Sequence, residues 1–193
     1  RILQGGTTQV THSFSLENTT SNMYATTYKL VLENIEPQDI KAFKGSSELR
    51  LTQEKSGETT TVSVTFDDAV VGKGKTQTFR VVFTNPSFSA RTGEVWEIYI
   101  TRLSSSNSFR TYSVDMVVPE SFGNEAYMSP KPTSKDTADG VIVYKFDKDS
   151  VEKTGITAGF GAFQVFSFTL NYHLENPISK TSTIDIAIPP DTS

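Results

Sequence analysis

Alternation of apolar and polar residues with a period of two constrains this chain more than any other feature. In Val10-Thr11-His12-Ser13-Phe14-Ser15-Leu16 every second side chain is apolar or aromatic. Tyr28-Lys29-Leu30-Val31-Leu32 and Thr61-Val62-Ser63-Val64-Thr65-Phe66 follow the same rhythm. Successive side chains of a strand point to opposite faces, so such segments bury one face and wet the other. Further strands are expected at 48–53, 77–83, 95–101, 110–118, 141–146, 162–175 and 183–188, roughly ten or eleven in all. Between them stand residues suited to tight turns: Gly45-Ser46-Ser47, Lys55-Ser56-Gly57, Gly72-Lys73-Gly74, Asn85-Pro86-Ser87, Thr92-Gly93 and Asp139-Gly140.

Strands punctuated in this way predict an all-β chain. The expected architecture is an Ig-like β-sandwich over 1–103, followed by a second, smaller β-sandwich or β-extension over 108–193. The polar run Arg102-Leu103-Ser104-Ser105-Ser106-Asn107-Ser108 marks the expected boundary, and about 119–139 is expected to be a long irregular loop. Phe166, Phe168, Leu170, Tyr172 and Leu174 share one face of the longest periodic segment, which is expected to be a central core strand.

With no cysteine, thiol nucleophiles, disulfides and Cys-ligated metal centres are excluded. A net charge of −4 makes a nucleic-acid groove a poor expectation. No stretch approaches the ~18 consecutive apolar residues that span a bilayer, and Arg1-Ile2-Leu3-Gln4-Gly5-Gly6 has none of the regions of a signal peptide. The chain begins without Met and closes on Ile188-Pro189-Pro190-Asp191-Thr192-Ser193, and is expected to be a piece of a longer protein.

The residues that could carry chemistry are few. His173 lies on the polar face of its segment beside Asn171, and His12 is in phase with Val10, Phe14 and Leu16, which predicts a hydrogen-bonded, partly buried imidazole. No serine stands in G-x-S-x-G. Asp67-Asp68 follows a strand and precedes a Gly-rich turn, so these two carboxylates are the candidates for loop calcium; otherwise no metal and no cofactor is expected. Asp147-Lys148-Asp149 with Glu152 lacks the glycine of an EF-hand and is expected to be a solvated turn. Val71-Gly72-Lys73-Gly74-Lys75 lacks the spacing of a P-loop. Trp96, in phase with Ile98 and Ile100, is expected in the core, and Tyr99 outside with Glu97. The glycine-rich segment 155–161 is expected to be a strand that another backbone approaches closely. Asn18-Thr19-Thr20 is the single N-x-[ST] sequon.

Four stretches together carry a family resemblance: Val70-Val71-Gly72-Lys73-Gly74-Lys75; Gly93-Glu94-Val95-Trp96-Glu97-Ile98; Gly155-Ile156-Thr157-Ala158-Gly159-Phe160-Gly161 with Gln164 and Leu170-Asn171-Tyr172-His173-Leu174-Glu175-Asn176; and Ile188-Pro189-Pro190-Asp191-Thr192. They resemble the non-catalytic β-sandwich region that precedes the transglutaminase-like domain of certain bacterial cell-surface proteins. The resemblance implies an extracellular or cell-surface module placed before a Cys-His-Asp domain. Without cysteine, no catalytic residue carries over. The leading expectation is therefore a non-enzymatic structural or interaction module whose partner is a neighbouring domain or another protein. An adhesin, pilus, surface-layer or fibre-type stalk subunit is the alternative, and a carbohydrate-binding module the third.

Overall fold

The computed structural model describes residues 1–102, 109–162, 169, 171–176, 180–181 and 183. The described chain is all-β and sandwich-like, with a single short α-helix. Its first part contains β1 (Thr8–Glu17), β2 (Thr27–Glu33), β3 (Gln38–Lys44), β4 (Ser47–Ser56), β5 (Thr59–Thr65) and β6 (Thr76–Asn85). These form one antiparallel sheet in the order β1-β6-β3-β4-β5-β2. Strand β4 makes the fold turn over: Ser47 to Leu49 pair with β3, whereas Arg50 to Ser56 pair with β5. The sheet curls until its two edges approach each other, Phe14 on β1 lying 4.8 Å from Tyr28 on β2.

The period-two pattern explains what fills the interior. On β6, Phe79, Val81 and Phe83 are buried while Arg80 between them is exposed, and Val62 and Val64 on β5 oppose them from the folded-over side. Phe79 is the centre, with ring centroids 4.9 Å from Phe14, 5.3 Å from Tyr28 and 5.0 Å from Phe66.

The remaining described strands form two smaller sheets. Strands β7 (Ser89–Thr92), β8 (Val95–Ile100), β10 (Glu125–Ser129) and β13 (Ile156–Gly161) are ordered β10-β13-β8-β7; β9 (Ser113–Pro119), β11 (Ser134–Ala138) and β12 (Val141–Asp147) are ordered β11-β12-β9. Even-numbered residues from the facing strands meet in the core: Trp96 and Ile98, Met116 and Val118, Tyr144 and Phe146, Ile156 and Phe160. Helix α1 (Lys148–Thr154) starts where the Asp147 carboxylate accepts a 2.9 Å hydrogen bond from the Ser150 N–H, and buries Val151.

Hydrogen bonding corrects the expected organisation in two places. Strand β8 precedes the expected 103/108 boundary, yet pairs with β13 beyond it, so the sheets divide between β6 and β7. Polarity marked a flexible connection in the sequence, but strand partners are chosen by non-local packing. Residues 103–108 themselves lie outside the described residues. The expected irregular loop at 119–139 contains a 3-10 turn (Glu120–Phe122) and strands β10 and β11. Every residue of β11 is exposed, so it carries no apolar alternation to betray it.

Residues 1–7 fasten the two parts. The Ile2 side chain is buried among the second core while its N–H donates to Val117 O at 2.8 Å, and the Gln9 N–H donates to Arg1 O at 2.8 Å. The Ser89 hydroxyl donates to Gly6 O. A segment continuous with β1 therefore plugs the opposite core.

Candidate functional site

Where the parts meet, a cleft of about 600 Å³ opens along the edge of β2. Its floor and one wall are β1, from Thr8 to His12, and the β2 segment from Leu30 onward. The facing wall comes from Tyr99 to Arg102, from β9 and from the end of α1. The volume is within the range of small-ligand and peptide sites.

The lining combines apolar strand residues with a few polar groups. His12 presents its ring between Phe14 and Phe83, 6.0 and 5.8 Å away, and has no hydrogen bond among the described residues. The expected hydrogen-bonded imidazole is thus held by stacking instead. Burial lowers its pKa from the ordinary 6.5 and raises that of the Tyr112 phenol, so each ring favours its uncharged form. The unfolded imidazole takes up its proton first as the pH falls. Stability is therefore full above about pH 6.5 and declines below it, toward the lower folded value. The urea midpoint is expected to fall between about pH 7.5 and 5.5, and His12→Phe to flatten that fall. An equal slope in the variant would mean that His12 is not the source of the fall.

The structure separates the other sequence candidates. Asp67 pairs with Arg50 and Asp68 with Lys44, each at an exposed position, so the two carboxylates serve separate cations. The hydrogen bond from Lys44 holds the Asp68 carboxyl below its usual range. No group of three or more His, Cys, Asp or Glu suited to a metal occurs among the described residues. Asp147 and Asp149 belong to the start of α1 rather than to a solvated turn. Trp96 is 9% exposed and stacked flat on Phe122 at 4.0 Å, while Tyr99 is 56% exposed, both as expected. The close approach expected in 155–161 is present: a Cβ on Gly155 would lie 2.3 Å from Ile100 O.

The core-strand expectation for 166–174 falls largely on residues outside those described. Within its described end, 171–176 forms no strand, and Tyr172 and Leu174 are about half exposed. His173 is exposed, its Nε2 3.0 Å from Glu175 Oε1.

Asn18 of the sequon is a structural hub. Its Nδ2 donates to Met23 O and Val70 O, and its Oδ1 accepts from the Thr20 N–H and hydroxyl at 3.0 Å each. Its backbone also exchanges bonds with the 74–75 turn. A glycan on Nδ2 would compete with those carbonyl contacts. Asn18→Ala is expected to lower stability by about 2 kcal/mol, read by thermal unfolding. A loss within ~0.5 kcal/mol would mean the hub is dispensable.

Sequence reasoning missed the cleft residues Arg1, Arg102 and Lys153, which come together only through strand pairing. One signal was present: within the alternation of β2 an apolar residue, Val31, occupies the outward phase, and it is 51% exposed. No family model matches the chain, and no curated protein matches it.

Proposed function

We propose that these residues form a non-enzymatic, Ig-like structural and interaction module of a bacterial cell-surface protein, accessory to a transglutaminase-like or similar domain outside residues 1–193. The Ig-like reading is supported by the β2–β5, β3–β4 and β3–β6 pairings of the first part, which resemble the strand neighbours of immunoglobulin sandwiches. The observation that carries the interaction reading is the cleft: an apolar trough along a strand edge, whose half-buried imidazole and Tyr112 phenol favour their neutral forms. Such a surface suits the docking of polypeptide.

The adhesin or stalk reading draws on the same edge, because β2 ends its sheet among the described residues and edge strands are natural points of attachment. The carbohydrate reading draws no support from Trp96, whose ring face is covered by Phe122. Reading the native coding region on both sides of this segment tests the proposal. A downstream Cys/His pair and an upstream export signal are expected. Further sandwich repeats or a sorting signal in their place would overturn the accessory role and favour the stalk.

A further inference from the structure

We propose that the cleft receives an extended, acid-bearing peptide strand of another polypeptide, added to the outer edge of β2. This deepens, and rests on, the reading of the cleft as an interaction surface. Two observations converge on it.

The first is the direction of the backbone. Strand β2 pairs with β5 in the register Thr27↔Thr65 to Glu33↔Thr59. Phe66 N–H donates to Thr26 O and Asn34 N–H to Glu58 O, which assigns the even-numbered residues of β2 to the β5 ladder. In an antiparallel pair the bonding direction alternates, so Lys29, Val31 and Glu33 aim their N–H and C=O groups away from β5, toward the cleft side. A row of backbone donors and acceptors at a strand spacing is complementary to another strand.

The second is charge. The chain as a whole is −4, yet the cleft lining contains Arg1, Arg102 and Lys153 against Glu33 and Asp115. None of the three cationic side chains has an ion-pair partner among the described residues. The exposed carboxylates elsewhere that do form pairs use other lysines and arginines. Carboxylates on the occupant complement that excess.

Leu30 and Ile35 supply the apolar contacts that alternate side chains of a strand require.

The test is a fluorescence-anisotropy titration of the 193-residue chain against a labelled octapeptide of alternating valine and aspartate, with a valine–lysine peptide as its counterpart. Saturable binding of the acidic peptide is expected with Kd below about 100 µM, and at least about fivefold weaker binding of the basic one. Val31→Pro removes an N–H that β5 does not use and places a ring in the path of an added strand, so it is expected to weaken binding at least about tenfold. Amide NMR of the unsubstituted chain supplies an independent reading, with peptide-induced shifts expected at Val31 and Glu33.

No saturation at about 1 mM peptide, equal binding to Val31→Pro, or shifts confined to other strands would each overturn the proposal. A chain that dimerises through β2 and excludes the peptide would overturn it too, in favour of a second copy as occupant. Absent peptide binding beside a genuine downstream Cys/His domain would reject strand addition while leaving the accessory reading intact. Peptide binding without any such domain would reject the accessory reading alone.

Discussion

Gly161→Ala is expected to lower the stability of the chain by about 4 kcal/mol, read as a shifted urea midpoint at unchanged slope. Gly161 ends β13 at φ +113, where an L side chain is strained. A Cβ there would also stand 2.2 Å from Glu94 O and 3.2 Å from Glu94 C. Both atoms are backbone, in the turn between β7 and β8, and no rotamer change can move them aside. On its other side Gly161 is hemmed in by Gly123, and its own N–H donates to Asn124 O at 2.9 Å. Relief therefore requires parting β13 from β8. Gly57→Ala is the control: its φ is +59 but nothing lies within 4 Å of the added Cβ, so only backbone strain of about 1 kcal/mol is expected. Equal effects at the two positions would mean that the β8–β13 approach is wrong.

Phe79→Ala is expected to lower stability by about 4 kcal/mol. The side chain is 4% exposed and touches rings contributed by β1, β2 and the residue after β5. Its loss leaves a cavity where the curled sheet brings its two edges together, which partial relaxation cannot fill. Val31→Ala on the outer face of β2 is expected to change stability by less than ~0.5 kcal/mol. A small loss at Phe79 beside a large one at Val31 would invert the assignment of inner and outer faces, and would move the cleft with it.

Much of the first part was legible because its strands alternate cleanly. Val62 and Val64 on β5, and Phe79, Val81 and Phe83 on β6, point inward as their spacing demands. Turn chemistry was equally direct: Asp139 and Gly140 have φ +53 and +73, which lets β11 and β12 join through two residues. What escaped was determined by distant partners. Strand β7 has four residues and β11 is wholly exposed, while β3 and β10 alternate only in part, so local pattern was silent about them. The helix α1 replaced an expected acidic turn because Asp147 caps it and Val151 finds a core to enter.

The candidate site was the least legible part. Its polar residues, Arg1, Arg102, Asp115 and Lys153, are scattered through the sequence and share no spacing. They converge because β8, which precedes the Ser-rich run in sequence, pairs with β13, and because Ile2 is drawn into the second core. His12 was placed on the correct face by its phase with Val10 and Phe14, whereas its stacking between two phenylalanines depended on Phe83 from β6. Period assigns a side chain to a face; only topology assigns it a neighbour.

The proposed accessory role requires that residues 1–193 assist a neighbouring domain without catalysing its reaction. The decisive experiment deletes this region from the full-length protein and assays both a small acyl donor and a macromolecular substrate. Turnover of the small donor is expected to stay within about twofold while action on the macromolecule drops at least about tenfold. Loss of turnover on both by the same factor, with the remaining domain still folded, would contradict it and place part of the chemistry on this chain.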